Sequence, residues 1–274
     1  MKACGRYLNG ATIMTTPTPL QLEIARSAGF SGIEARAERL IQDPSETTAT
    51  ARAVRGGEVW SLNGVRIGVT RDGGLERETL EVDLNANLEI SEAIGAAYLL
   101  FVPPRGEGLR EADVLPAIRE GLALGRDRAA AHRIKVAFEF LGFFDCPIGT
   151  PQAAVAAVDG LEVDLVLDSC HWHASGAGSL DGLPFERIAM VHLNDAPAKP
   201  RNEIEDADRV LPGDGVIRLR HLLEALRARG YTGPWSLETF NPRLWAEDPT
   251  AVARRGWAAL NDLLSGNEPA EWNY

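Results

Sequence analysis

The chain has little with which to staple itself together, span a membrane or hold a nucleic acid. Its 274 residues include three cysteines, Cys4, Cys146 and Cys170. They are too widely spaced for a disulfide framework or a zinc ribbon, and a reducing, cytoplasmic setting is expected. No run approaches the roughly 20 apolar residues of a membrane helix. The first ten residues, MKACGRYLNG, lack the apolar core of a signal peptide. Basic residues are outnumbered, 28 against 39 acidic ones, so the net charge is −11. That charge favours solubility and opposes a phosphate backbone. No G-x-G-x-x-G follows the first apolar run, which counts against an open dinucleotide-binding sheet. Linkers and low-complexity stretches are also missing.

What is present is an alternation of short apolar runs and amphipathic stretches. The runs at Ala3–Leu8, Gly32–Arg36, Val59–Asn63, Tyr98–Val102, Val136–Phe140, Val163–Asp168, Ile188–Leu193 and Trp235–Glu238 read as eight strands. Thr18, Pro19 and Gln21 have the pattern of a capped helix start, with Leu20, Ile24 and Ala28 on one face. Residues 39–55 read as helical with a break near Pro44. Leu80, Leu84, Leu88 and Ile94 share a helical face, as do Val114, Ile118 and Leu122 in a helix running to about His132. Thr150 and Pro151 open another helix. Leu219, Leu222, Leu223 and Leu226 mark one that Gly230 stops, and a last helix covers about 250–264. Residues 196–215 form a long polar loop of the kind that is usually functional. Eight such units in about 250 residues match a closed (β/α)8 TIM barrel, an α/β fold, as one domain over residues 1–274. The tail, ending Trp272-Asn273-Tyr274, offers a surface for a partner subunit in a homo-oligomer.

Four of the runs hand over to one potential metal ligand each: Glu139, Asp168, His192 and Glu238. A buried strand must end on some polar residue, so one such case means little. Four converge only if the strand ends meet at one mouth, as they do in a barrel. Three carboxylates and one imidazole make a mostly oxygen donor set. It suits one divalent ion such as manganese, cobalt or magnesium, with zinc as a further option. Such a set leaves room for a ketone and its neighbouring hydroxyl. The ion then lowers the cost of an enediolate while a carboxylate takes the adjacent proton. Glu34 and Arg36 end the second strand and are read either as a surface ion pair or as a grip on a polar substrate. Cys170 is read as packing, with a nucleophilic role the minor alternative.

The segments VAFEFLG, LVLDSCHWHASG, MVHLNDAP, DRVLPGDG and SLETFNP together resemble the xylose isomerase-like barrel family of sugar isomerases and epimerases. They are most similar to its inosose isomerase branch, which acts on 2-keto-myo-inositol. The resemblance covers nearly the whole chain and is densest from Glu139 to Pro242. It implies metal ligation by Glu139, Asp168, His192 and Glu238, with Glu139 and Glu238 exchanging protons with opposite sides of a small polyol or keto-sugar. It also implies substrate contacts from His171 and Arg209. His173 is either a further contact or a supporting hydrogen bond, and Glu34 and Arg36 match a similar motif at the pocket floor. The loop carries Lys199, Arg201 and Glu203 where the inosose pattern is more apolar, so the particular sugar stays open.

Four readings follow. The first is a metal-dependent isomerase or epimerase. The second is an inosose or dehydroshikimate-type dehydratase, which needs an acid beside the leaving hydroxyl, for which His171 or His173 is available. A nuclease of the same family would need more than the five histidines present and a basic face. A non-catalytic barrel would be expected to have lost a ligand.

Overall fold

Each of the eight apolar runs forms a strand in the computed structural model, which describes residues 5–266. The strands are β1 (Arg6–Asn9), β2 (Gly32–Arg36), β3 (Val59–Arg66), β4 (Tyr98–Val102), β5 (Lys135–Glu139), β6 (Asp164–Asp168), β7 (Ile188–Leu193) and β8 (Trp235–Leu237). Neighbours pair in parallel, and β8 returns to β1, so the ring closes into the expected (β/α)8 barrel and leaves no open edge. The helices are α1 (Thr18–Ala28), α2 (Ala37–Gln42), α3 (Pro44–Ala53), α4 (Arg77–Ile94), α5 (Glu111–Ala131), α6 (Pro151–Val158), α7 (Ser169–Ala174), α8 (Leu219–Ala228), α9 (Pro242–Trp245) and α10 (Pro249–Ser265). Among the described residues no helix is long and apolar enough to cross a membrane.

The helices earn their places by periodicity. All four leucines of the α8 stripe are buried, and so are Leu80, Leu84, Leu88 and Ile94 of α4. Each such side chain contributes about 1.5–3 kcal/mol of burial. Inside the ring, Tyr7, Trp60, Tyr98, Leu100, Ala137, Val166, Ala189 and Met190 pack together. Trp60 stacks on Tyr98 with ring centroids 5.5 Å apart, and the Tyr98 hydroxyl donates to Asp164 at the start of β6 (2.9 Å). This plug fills the end of the barrel where strands begin. Polar chemistry is left to the end where they finish.

Several expectations need correction. Thr18 does not cap α1 but is its first residue. Its N–H is accepted by Glu46 of α3 (2.7 Å), while Gln21 turns inward to the Thr16 carbonyl (2.9 Å). The buried face is accordingly Leu22, Ile24 and Ala25, and Leu20 is 43% exposed. β3 runs three residues beyond Asn63. A helix, α7, follows directly on Asp168, in a stretch to which the sequence pattern assigns no element. Asp168 caps it, its Oδ1 accepting the His171 N–H (2.8 Å). Ala3 and the tail after Gly266 lie outside the described residues.

Candidate metal centre

Glu139 and Asp168 are the last residues of β5 and β6, His192 is the penultimate residue of β7, and Glu238 follows β8 directly. Parallel register pairs Asp168 with His192, while Glu139 lies opposite Val166, two residues before Asp168. Glu238 lies two residues beyond Ser236, the partner of His192; the stagger of a closed barrel still brings the four strand ends to one mouth. The structure brings all four together, with one ligand atom from each within 4.8 Å of the others. All are buried. His192 Nδ1 lies 3.1 Å from Glu139 Oε1 and 3.0 Å from Glu238 Oε2. Two donors bound at right angles to one ion at about 2.1 Å would be separated by about 3.0 Å, so this spacing fits a shared cation. A single ring N–H, by contrast, serves only one carboxylate well.

Counter-charge comes from Arg209, whose side chain is 1% exposed. Its Nη1 reaches Glu238 Oε2 (2.8 Å) and Asp168 Oδ2 (3.3 Å), and its Nη2 reaches Asp206 Oδ1 (2.8 Å) and His171 Nε2 (3.0 Å). The last contact fixes the histidine's chemistry. A guanidinium only donates, so His171 Nε2 must hold a lone pair and Nδ1 the proton. Burial, reinforced by Arg209, holds His171 well below the ordinary histidine range. Burial pushes Glu139 up to about 7 against the pull of His192, with Glu238 and Asp168 adding repulsion. Burial acts the same way on Glu238, but His192, Arg209 and Arg36 overcome it and hold that carboxylate below its usual range. Two carboxylates at one site thus differ in proton affinity, as paired acid and base groups do.

The remaining sequence candidates divide. Glu34 is buried against the far side of the His192 ring, its oxygens 3.1 and 3.2 Å from Nε2. Arg36 parts from it. The Arg36 guanidinium bonds the exposed Glu38 (2.8 Å), lies 3.6 Å from Glu238 Oε1 and stacks 4.8 Å from the Phe240 ring centre. His173 is not brought to the cluster. Burial, reinforced by Arg201 and Arg218, holds its ring below the ordinary histidine range. Residues not singled out for the site also support it. Asn194 Nδ2 donates to Asp168 Oδ2 (2.6 Å) and to the Glu238 carbonyl (2.9 Å). Asn9 Nδ2 donates to Glu34 Oε1 (3.2 Å) and Glu238 Oε1 (3.0 Å). Phe143 meets the His171 ring edge-on at 4.7 Å. Asn9 was within reach of the strand-end rule, but the first strand was expected to stop at Leu8.

The long loop is closed at its base by Asp195, which accepts the N–H groups of Ala196, Gly213 and Ile217 (2.8–3.0 Å). Lys199 pairs with Asp208 within it, and Glu205 bonds Arg105 of the β4–α5 loop (2.8 Å). Asn241 Nδ2 donates to the Arg209 carbonyl (2.8 Å), which helps to hold that side chain over the cluster. Near the cluster, His171 Nδ1 and Arg209 Nε are buried with no hydrogen-bond partner among the described residues. Polar atoms in that state mark places for ligand or solvent atoms.

Comparison with known proteins identifies the family of the fold. A family model described as "Xylose isomerase-like TIM barrel" matches residues 22–263. An inosose isomerase of Bacillus subtilis (strain 168) is 28% identical over 269 residues, 93% of this chain and 96% of that protein. Another, from Halalkalibacterium halodurans, is 30% identical over a stretch covering 61% of this chain and 62% of its own length. A 3-dehydroshikimate dehydratase of Pseudomonas aeruginosa is 29% identical over 91% of this chain, which corresponds to 40% of the dehydratase. A crystal structure of IolI protein with a bound zinc atom superposes with a TM-score of 0.87 at 25% identity, covering 97% of this chain and all of that one.

Proposed function

The chain belongs to the xylose isomerase-like TIM-barrel family, and from that premise we propose that it is a divalent-metal-dependent isomerase or epimerase of a keto-inositol or a ketose. Glu139, Asp168, His192 and Glu238 would hold the ion, whether manganese, cobalt, magnesium or zinc. When bound, the ion would supply positive charge beside the substrate's ketone and neighbouring hydroxyl, which eases loss of the proton between them.

The observation that carries this reading is the approach of Glu139 and Glu238 to the same His192 nitrogen from β5 and β8, three places apart in the ring. Two carboxylates arriving from different sides can take a proton from one face of a carbon and return it to another position or face. Glu238, held ionised by Arg209, is suited to accept the first proton. Glu139, with its higher proton affinity, is suited to donate. The Nδ1–H of His171 would hold a substrate oxygen, and Arg209 would steady the enediolate's negative charge. Small polyols similar to those of the inosose isomerase relatives are the substrate class. Cys146 and Cys170 are free, which fits work in the reducing cytoplasm.

The dehydratase relative supports a second reading, but expulsion of a hydroxyl needs an acid beside it. His171 receives a proton contact from Arg209 at Nε2 and His173 is not among the residues brought together, which leaves Glu139, the proton donor of the isomerase reading, as the acid either reaction would use. Proton NMR in D2O, with 2-keto-myo-inositol and magnesium, separates the two. Isomerisation moves or exchanges a C–H without loss of water. An alkene signal would support the dehydratase instead.

A further inference from the structure

One imidazole, His192, is surrounded by three carboxylates. Its Nδ1 faces Glu139 and Glu238, while its Nε2 faces Glu34 alone, 3.1 Å from Oε1 and 3.2 Å from Oε2. Glu34 is 1% exposed and does not belong to the group of four that can share an ion. It is itself held in place. Ser61 Oγ donates to Oε2 (2.6 Å) and Asn9 Nδ2 to Oε1 (3.2 Å). The Asn9 amide cannot turn over freely, because its Oδ1 accepts the Ala11 N–H (3.0 Å). Its Nδ2 also donates to Glu238 Oε1 (3.0 Å). β1, β2 and β3 therefore hold one carboxylate behind a ring carried by β7.

A neutral imidazole has one N–H and one lone pair, and whichever nitrogen carries the hydrogen cannot bind a metal. Glu139 and Glu238 face Nδ1 as well, but once they share an ion with it that nitrogen needs its lone pair, and an ionised Glu34, which can only accept, holds the hydrogen at Nε2. We propose that Glu34 is a positioning residue: it takes the Nε2–H of His192, leaves the Nδ1 lone pair aimed between Glu139 and Glu238, and so sets the metal affinity of the site. This moves Glu34 from the substrate-contact role expected of it to a place behind the ring. The inference rests on the proposed metal-dependent function.

The test uses the whole protein and zinc, which is diamagnetic. Long-range 1H–15N NMR of the zinc-loaded wild type reads the His192 tautomer directly, and with five histidines in the chain assignment is tractable. The expected spectrum shows Nδ1 metal-bound and Nε2 protonated. Zinc affinity by chelator competition is then compared for wild type, Glu34→Gln and Glu34→Ala, with folding checked by circular dichroism. Loss of an orienting partner of this kind typically weakens binding about 10–100-fold. Glu34→Gln, which keeps an acceptor oxygen but not the charge, should fall between the other two. Zinc bound through Nε2, or both variants binding as tightly as wild type, would overturn the proposal while leaving the metal site standing. A wild type that binds no zinc would overturn both. If neither variant folds, the wild-type spectrum alone decides.

Discussion

Replacing Arg209 by methionine removes the main counter-charge of the site while keeping most of the side chain's length. The guanidinium is 1% exposed and spans Asp168, Glu238, Asp206 and His171. Without it, Asp168 and Glu238 remain buried with Arg36 and His192 as the nearest compensation, and Arg36 stands 3.6 Å from only one of them. Removing one partner of a buried ion pair costs about 3–5 kcal/mol. At roughly 2–4 °C per kcal/mol for a large domain, the metal-free variant should melt about 6–20 °C below wild type. The assay is thermal and urea unfolding of chelator-treated protein. A divalent ion at a hundredfold its Kd adds about 2.7 kcal/mol to a protein that binds it only when folded. Because Arg209 is not one of the four ligands, the variant should gain that increment too, and kcat/KM should fall far more than metal content. A metal-free variant melting within about 2 °C of wild type would refute the charge-balance reasoning. A variant isolated without metal would refute the assignment of Arg209 to the substrate.

Other expectations follow from single contacts. Glu139→Gln and Glu238→Gln should each lower kcat by about 10²–10⁴-fold with unchanged circular dichroism, and a fully active Glu238→Gln enzyme contradicts proton exchange between two carboxylates. Because Glu139 is pushed up to about 7 by burial, the metal-free native state holds a proton there that the unfolded chain has already released. That contribution to stability is in place below the ordinary carboxylate range and is lost as pH rises through about 7. Metal binding must expel this proton and also the one on His192, where burial disfavours the charge but Glu238, Glu34 and Glu139 overcome it and keep the ring well above its ordinary range. Affinity should therefore rise by at least about tenfold per pH unit below 7 and go on rising above it; a flat profile between pH 5 and 8 contradicts this. Asn194→Ala removes the amide held 2.6 Å from Asp168 Oδ2. It should weaken metal binding about 10–100-fold, which a chelator competition would show. Gly142→Ala would set a Cβ 1.9 Å from the His171 carbonyl oxygen. The shift needed should cost about 1–3 kcal/mol and displace α7, so an unchanged Tm with full activity counts against this packing.

The barrel was legible because its strands are buried on both faces and so stand out as short apolar runs, and because α4 and α8 carry unbroken stripes. Residues 139, 168, 192 and 238 were legible for the same reason: a polar residue where such a run stops marks the mouth. What stayed hidden depends on contacts distant in sequence. Thr18, Pro19 and Gln21 imitate a local cap, but the N–H group is taken by Glu46, 28 residues on, which shifts the helix's inner face. Helix α7 is six residues long, too short to show a period, and is capped by the Asp168 carboxylate, which accepts the His171 N–H. Glu34 and Arg36, two apart on one strand, looked like partners. In the fold one faces His192 and the other lies between Glu38 and Glu238. Asn9 and Asn194 act through amide groups, whose targets are set by which strands become neighbours.

The central claim is that residues 139, 168, 192 and 238 close on a single cation. Crystals soaked in manganese test it by anomalous diffraction. The account predicts one strong peak at the strand ends, about 2.0–2.3 Å from a carboxylate oxygen of Glu139, Asp168 and Glu238 and from His192 Nδ1. Saturated crystals with no peak there, or with manganese bound elsewhere and these four side chains apart, would contradict it.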